Sequence, residues 1–199
     1  MIAKPDTVVA KELVSYHIPS VSLSDLGDSV LEAMDDLKCS HLPIVEDGTY
    51  LGVISDEEIL DCLDSGVEIK KIKSKFLAPA VRHDSHIFEV LLILSQFKLS
   101  IVPVLGKKDE FLGAISIQDL AFKMAEITNV REPGGILILE LNVRDYSLTQ
   151  VAQIVESDNA KILSSYVASN TDSLKMNLIL KINKIDLSAI ISSFDRYNY

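Results

Sequence analysis

Residues 101–119 read IVPVLGKKDEFLGAISIQD, and residues 42–58 read LPIVEDGTYLGVISDEE. The later stretch predicts a strand ending in Pro103-Val104-Leu105, a charged turn over 106–110 and a second strand over 111–115. Ser116 and Asp119 then open a helix. The earlier stretch is its copy: Pro43 matches Pro103, Gly52 matches Gly113, Ser55 matches Ser116 and Glu58 matches Asp119. A repeat outranks any single element, because each copy is one supersecondary unit whose partner buries its apolar side.

The copies extend upstream. Residues 19–43 align with 79–103 at a constant offset of 60, pairing Val21 with Val81, Val30 with Val90, Leu37 with Phe97 and Ser40 with Ser100. Beyond the prolines the offset is 61, because the second turn holds one more residue, and turns tolerate insertion. In each copy a short strand (20–23; 80–83) leads to a helix capped by Ser24 or Asp84. Apolar residues recur at helical spacing: Val30, Ala33, Met34 and Leu37, then Ile87, Val90, Leu91 and Leu94. Each copy closes with a second helix, over 56–63 and 118–127. Before the first copy, Asp6 or Thr7 can cap a helix through Ser15, which Ile18-Pro19 ends. Residues 64–75 join the copies, and their basic run (Lys70, Lys71, Lys73, Lys75) reads as a solvated face.

Arg131-Glu132-Pro133-Gly134-Gly135 is a boundary. After it, 136–143 alternates with Leu137, Leu139, Leu141 and Val143 on one face. Ser147 and Gln150 have capping-box spacing, and Leu148, Val151, Ala152 and Val155 give a helix face. Strands over 160–168 and 174–182 follow, turned at 170–173, and Asp186 caps a last helix with Leu187, Ile190, Ile191 and Phe194. This βαββα order is one strand short of the ferredoxin-like βαββαβ unit. The expectation is that the native chain continues past Tyr199, the alternative being that another chain supplies the strand. The fold class is therefore α/β (α+β), with repeats at 1–75 (including the N-terminal helix and linker) and 76–131, and a third domain at 136–199.

Composition narrows the function. Of 199 residues 48% are hydrophobic and 24% charged, which fits a globular chain rather than a disordered one. No apolar run approaches the roughly 18 residues of a membrane span, and Pro5-Asp6 interrupts any signal peptide, so a cytoplasmic location is expected. Cys39 and Cys62 read as buried thiols. His17, His41, His83 and His86 lack metal-ligand spacing, so no metal is expected. The net charge of −10 is concentrated in residues 1–60, which hold 3 Lys/Arg against 12 Asp/Glu; residues 61–135 hold 10 of each. The acidic excess argues against nucleic acid as a partner, and an anionic small ligand should prefer the neutral second copy. No HExxH, Walker loop or GxGxxG is present, so an enzyme is not expected.

At Leu42-Pro43-Ile44-Val45 with Gly52-Val53-Ile54-Ser55, and at Val102-Pro103-Val104 with Gly113-Ala114-Ile115-Ser116, the chain resembles the cystathionine-β-synthase (CBS) domain family. Two tandem copies make what is called a Bateman module, and the likeness covers about residues 1–130. The tail is similar to an ACT-type regulatory domain, so that the whole resembles the acetoin-utilisation-type small CBS proteins. ACT domains that bind amino acids usually carry a glycine after the first strand; residues 144–147 have none, which argues against that ligand here.

The resemblance implies an adenine nucleotide (AMP, ADP or ATP) in the cleft between the copies, as a regulatory ligand rather than a required cofactor. The family pattern Gly-h-x-Ser/Thr-x-x-Asp is complete at Gly113, Ser116 and Asp119, with Asp on ribose hydroxyls and Ser near phosphate. An ionised carboxylate can accept two hydrogen bonds from a vicinal diol, and a helix N-terminus favours an anion. At Ser55 and Glu58 the acid is one methylene longer and lies beside Asp56 and Glu57, so that second site is expected to be weak or empty. His41, Arg82, His83, Lys107 and Lys108 are candidates to meet phosphate, and Val81, Val102 and Ile115 to wall the adenine. The leading expectation is a non-catalytic sensor, homodimeric through its helices, that couples occupancy to domain arrangement. Its alternatives are a ligand-free scaffold presenting the ACT-like domain to a regulated partner, and an amino-acid sensor through that domain.

Overall fold

The structure is a computed structural model that describes residues 8–62, 64, 66–72, 76–169, 174–197 and 199. It divides into two compact units, 1–122 and 123–199.

In the first repeat, helix α1 (Gly27–Leu37) precedes strands β1 (His41–Glu46) and β2 (Thr49–Ser55), and helix α2 (Asp56–Leu60) follows. A single turn, α3 (Ile69–Ile72), lies in the joining segment. The second repeat has β3 (Val81–Arg82), α4 (Ile87–Phe97), β4 (Ile101–Leu105), β5 (Phe111–Ser116) and α5 (Ile117–Ile127). β1 and β2 pair antiparallel; β3 runs parallel to β4, which pairs antiparallel with β5. Val21, the counterpart of Val81, reaches β1 only through a bridge to Ile44. Val30 and Met34 of α1 and Ile59 of α2 pack with Leu42, Ile44 and Ile54 in one core. Their counterparts Val90, Leu94, Leu120, Val102, Val104 and Ile115 are all buried as well.

Equivalent positions of the two copies meet. Thr49 bridges Glu110, the Tyr50 ring stacks on Phe111 at 6.3 Å between centroids, and the Ser40 N–H donates to Ser100 Oγ at 3.0 Å. Contacts between like positions mark a pseudo-two-fold axis through the repeat pair.

The segments that enter the repeats cross over. Residues expected to form an N-terminal helix instead make one 3-10 turn, Ala10–Glu12, beside extended backbone. That backbone is held by the second copy: Ala10 N–H donates to Ser85 O, Lys11 N–H to His83 O and Ser15 N–H to Ala114 O, all within 3.0 Å. Sheet-type pairing satisfies these donors, which a helix would have satisfied internally. Reciprocally, Leu77, at the entry to the second copy, accepts from Val53 N–H of the first copy at 2.9 Å. The motif glycines follow from these crossings. A Cβ on Gly113 would stand 2.5 Å from Val14 Cγ1, and one on Gly52 2.6 Å from Leu77 O. Both have positive φ, 135° and 152°.

The expected caps Ser24 and Asp84 lie too early. α1 starts after Leu26, and α4 after His86, whose ring accepts from Phe88 N–H at 3.2 Å. Lys38 and Lys98 end these helices in the left-handed conformation at identical φ within 1° (53° and 52°), a copy-for-copy match of the stop signal.

The second unit is a three-stranded antiparallel sheet, β6 (Gly135–Asn142), β7 (Ile162–Ser169) and β8 (Lys175–Ile182), ordered β6-β8-β7. Helices α6 (Leu148–Ser157) and α7 (Ser188–Arg196) cover one face, where Val151, Ile154, Ile190 and Phe194 pack on Leu139, Leu141, Leu178 and Leu180. The βαββα order with β8 central is the ferredoxin-like arrangement, and β6 occupies the edge where a fourth strand would pair. The capping box is only half made: Ser147 Oγ accepts from Gln150 N–H at 3.4 Å, but the Gln150 side chain accepts from the Tyr199 hydroxyl at 2.8 Å. The expected turn at 170–173 lies outside the described residues.

Candidate functional site

The two Ser-x-x-acid steps sit at matching ends of the repeats, where a strand passes directly into a helix. His41 faces Ser55 across the β1–β2 pair, and Ile101 faces Ser116 across β4–β5. Asp56 N–H donates to Ser40 O at 3.1 Å, and Ile117 N–H to Ser100 O at 3.0 Å, which fixes each helix start on the residue before the strand.

The acids differ in what they do. Ser55 Oγ accepts from Glu58 N–H at 3.1 Å while Glu58 Oε2 accepts from Ser55 N–H at 3.1 Å, a closed capping box. Asp119 is a methylene shorter. Ser116 Oγ accepts from Asp119 N–H at 2.9 Å, but its hydroxyl donates to Asp119 Oδ2 at 2.7 Å, so this carboxylate is bound to the serine side chain.

His41 links the copies. Its Nδ1 accepts from the Ser100 backbone N–H at 3.3 Å and lies 3.2 Å from Ser100 Oγ. With Nδ1 accepting, the neutral ring carries its proton on Nε2. Burial holds the His41 pKa below its ordinary 6.5, against the pull of the carboxylates of Asp56, Glu58 and Glu57. The ring is therefore neutral near pH 7, with Nε2 as its donor.

A pocket of 260 Å³ opens at this end of the first repeat, lined by His41, Val53, Ser55, Glu57, Glu58 and Asp61 together with Leu77, Pro79, Phe97 and Leu99. Both copies thus contribute walls. Three carboxylates line it, and none of the residues lining it is Lys or Arg. The offsets of 60 and 61 carry this lining onto Ile101, Ala114, Ser116, Gln118, Asp119 and Phe122, with Pro19, Leu37 and Cys39 from the first copy; where Leu77 bonds Val53, the residue that bonds Ala114 is Ser15. Glu57 thereby becomes Gln118 and Asp61 becomes Phe122, leaving Asp119 as the acid of the second set. Pro19, Leu37 and Cys39 were not among the candidate residues the sequence singled out. The offset of 60 holds from Pro19 onward but not in the segments before it, where Ser15 stands against Ala114 as Leu77 stands against Val53.

The other candidates stand elsewhere. Val81 pairs with Val104, Arg82 with Leu105, and Leu105 with Phe111, whereas Ser116 pairs with Ile101. Four residues of strand separate Ile101 from Leu105, or roughly 13 Å at the rise of an extended chain. Arg82 and His83 are therefore not brought together with Ser116 and Asp119, and neither is the turn carrying Lys107 and Lys108. The Arg82 guanidinium donates to Gly106 O at 2.8 Å and pairs with Asp109 at 2.6 Å, clamping that turn. His83 Nδ1 is buried without a hydrogen-bond partner, 3.4 Å from Asp84 Oδ1. Val81, Val102 and Ile115 are buried among the core side chains, each no more than 5% exposed. Among the described residues no group of three or more His, Cys, Asp or Glu side chains could hold a metal ion. None of the described helices is long and apolar enough to cross a membrane.

Two copies of one α/β unit, exchanged at their entering segments and joined on a pseudo-two-fold with a Ser-x-x-acid step at each helix start, define a tandem-repeat module. The CBS domain model matches residues 10–65 and 74–126, more than half of the sequence, and the chain belongs to the CBS domain family. Over 158 residues, 79% of its length, it is 20% identical to inosine-5'-monophosphate dehydrogenase of Methanocaldococcus jannaschii, of which it spans 31%. It is similar in fold to a CBS domain pair/ACT domain protein from Thermotoga maritima (22% identity, TM-score 0.54, 60% of this chain and 98% of that one). It is also similar to CBSX2, solved in complex with AMP (18% identity, TM-score 0.51, 60% of this chain and 97% of that one).

Proposed function

We propose that this protein is a non-catalytic sensor that binds an adenine nucleotide in the cleft between its CBS repeats, at the end of the second repeat marked by Ser116 and Asp119. The observation that carries this reading is the inequality of the two linings. The first holds Glu57, Glu58 and Asp61, which repel phosphate at short range. At the corresponding positions the second holds Gln118, Asp119 and Phe122. A single carboxylate suits a ribose diol, and Phe122, 68% exposed, offers a flat apolar surface to a base. The dipole of α5 favours an anion at its N-terminus, where the Ile117 and Asp119 N–H groups already bond Ser100 O and Ser116 Oγ. The AMP complex of CBSX2 supports the ligand class.

Occupancy becomes a signal only if the nucleotide prefers one arrangement of the copies over another. In this reading His41, bonded to Ser100, reports on that arrangement. The protein acts as a homodimer in the cytoplasm and passes the signal to a regulated partner.

One observation favours a second reading, a scaffold without ligand: Ser116 and Asp119 already satisfy each other as a helix cap. Calorimetric titration of the wild type and Asp119→Ala with AMP, ADP, ATP, NAD and S-adenosylmethionine separates the two. Nucleotide sensing predicts saturable binding by at least one adenine ligand, weakened roughly 10- to 100-fold by Asp119→Ala through loss of charge-assisted hydrogen bonds. No binding of any of them to folded wild type contradicts the sensor and leaves the scaffold.

A further inference from the structure

The sheet of the second unit has one face under helices and one open face, and the open face lacks the polar surface that alternation gives a half-covered antiparallel sheet. Leu139, Leu141, Leu178 and Leu180 turn toward α6 and α7. Alternation therefore sends Ile136, Ile138, Ile179, Lys181, Ser164 and Tyr166 to the other side. Register sets them in rows: Lys181 pairs with Ile136 on β6 and Ser164 on β7, and Ile179 pairs with Ile138 and Tyr166. Just past α5, Asn129 Nδ2 donates to Leu163 O on β7 at 3.1 Å, which holds the end of that helix to this sheet. Thr128 and Val130 thereby wall a pocket of 300 Å³ whose lining includes Ile136, Ile179, Ser164 and Lys181. Lys181 is the one charged residue of this lining. Its Nζ donates to Gly134 O at 3.3 Å, and it has no carboxylate partner among the described residues. Lys175, further along the same face of β8, pairs with Glu140 of β6.

We infer that this pocket binds a small organic acid, a carboxylate on an apolar body that carries no ammonium group. Lys181 meets the carboxylate, and Val130, Ile136 and Ile179 meet the hydrocarbon. An ammonium has three donors, of which Gly134 O takes one, leaving the others for charge-assisted bonds to an anion. Ser164 stands directly across from Lys181, at the roughly 5 Å spacing of opposed side chains, and brings a hydroxyl to the same carboxylate. A free amino acid fits poorly. Its ammonium would find no Asp or Glu in the lining and would meet the like charge of Lys181. A phosphate fits poorly too, because strand N–H groups lie in the plane of the sheet and add no donors to its face. The volume is at the small end of ligand pockets, about 300–1,000 Å³, and suits a branched alkyl chain or a single aromatic ring. None of these residues belongs to the nucleotide site proposed above, so the two sites stand or fall separately.

The test is calorimetric titration of the full chain with isocaproate and hydrocinnamate. Leucine and phenylalanine are the matched ligands that add only the ammonium, and isohexanol is the one that lacks the charge. At least one acid should saturate the protein with roughly millimolar affinity or better. Its amino-acid counterpart and the alcohol should bind at least about 10-fold more weakly, as should the acid to Lys181→Met, through loss of charge-assisted bonds. Methionine keeps most of the apolar stem, and far-ultraviolet circular dichroism checks the fold of the variant. Ile136→Asp is the second variant: the position is 65% exposed, and the new carboxylate would stand opposite Lys181 and abolish binding. If Lys181→Met fails to fold, Ile136→Asp decides. Amide chemical shifts on adding the acid should move at Ile136, Ser164, Tyr166 and Lys181. No binding of either acid, equal binding of the amino acids, or affinity unchanged in the folded variants would overturn the site. Shifts centred on Asp145 and Gln150, or confined to the repeats, would overturn it as well.

Discussion

Gly52 and Gly113 lie under a crossing segment, and their hydrogens are what let it cross. Replacing Gly52 by alanine sets a Cβ 2.6 Å from both Leu77 O and Phe76 Cβ on a backbone already at φ 152°. The expected loss is about 2–4 kcal/mol, from backbone strain plus overpacking. Gly48 is the control: its φ is 78° but nothing lies within 4 Å of an added Cβ. Gly48→Ala should cost only about 1 kcal/mol, the left-handed penalty alone. Urea unfolding of the two variants checks the ordering, and equal losses would contradict the crossing as the cause. His41 gives a pH dependence at the same scale. Its folded pKa lies below 6.5 because burial disfavours the cation. The unfolded chain therefore binds the proton first as pH falls, so this stability is fully present above about pH 6.5 and declines below it, until the folded ring also titrates. Denaturant midpoints measured from pH 7.5 down to 5 should fall for the wild type and fall less for His41→Gln.

Helix starts were the least legible elements, for an identifiable reason. Ser24 and Asp84 have the residue types of caps, but their turns close locally: Ser22 N–H donates to Asp25 Oδ2 at 2.8 Å, and the helices begin three residues later. The N-terminal segment misled more. Val8, Val9 and Leu13 show helical spacing, yet Ala10, Lys11 and Ser15 give their N–H groups to the second repeat, a pairing that only the tertiary fold can supply. Ser55 and Ser116, by contrast, cap α2 and α5 as the motif requires, because each strand runs without a loop into its helix. Ser55→Ala should cost about 1 kcal/mol by opening the capping box. Ser147→Ala should cost less, since Gln150 never closes its half. Thermal unfolding of the two variants gives the comparison, and equal shifts would argue that the box at Ser55 contributes nothing extra.

At the scale of the molecule, the repeat made the fold readable. Twenty-five aligned residues ending on each proline and the matched Gly and Ser after it specify one unit twice, and Leu42, Ile44 and Ile54 with Val102, Val104 and Ile115 fill its two cores. The βαββα tail was equally plain from the alternation of Leu174, Met176, Leu178, Leu180 and Ile182, although β8 begins at Lys175. The candidate site was only half legible. His41, Ser55 and Glu58 line one pocket, and Ser116 and Asp119 stand at the corresponding helix start of the other copy, whereas strand register, invisible in a sequence, sends Arg82 and His83 to the other end of the sheet. Charge remains the main discriminator between the two repeat ends, and it bears directly on where an anionic nucleotide goes. Amide chemical-shift mapping of the isotope-labelled chain titrated with AMP reads this most directly. The account predicts the largest changes over Ser116–Asp119 and at Cys39 and Ser100, with smaller ones over residues 55–61. No change, or changes centred on Ser55 and Asp61 or confined to residues 136–199, would contradict it.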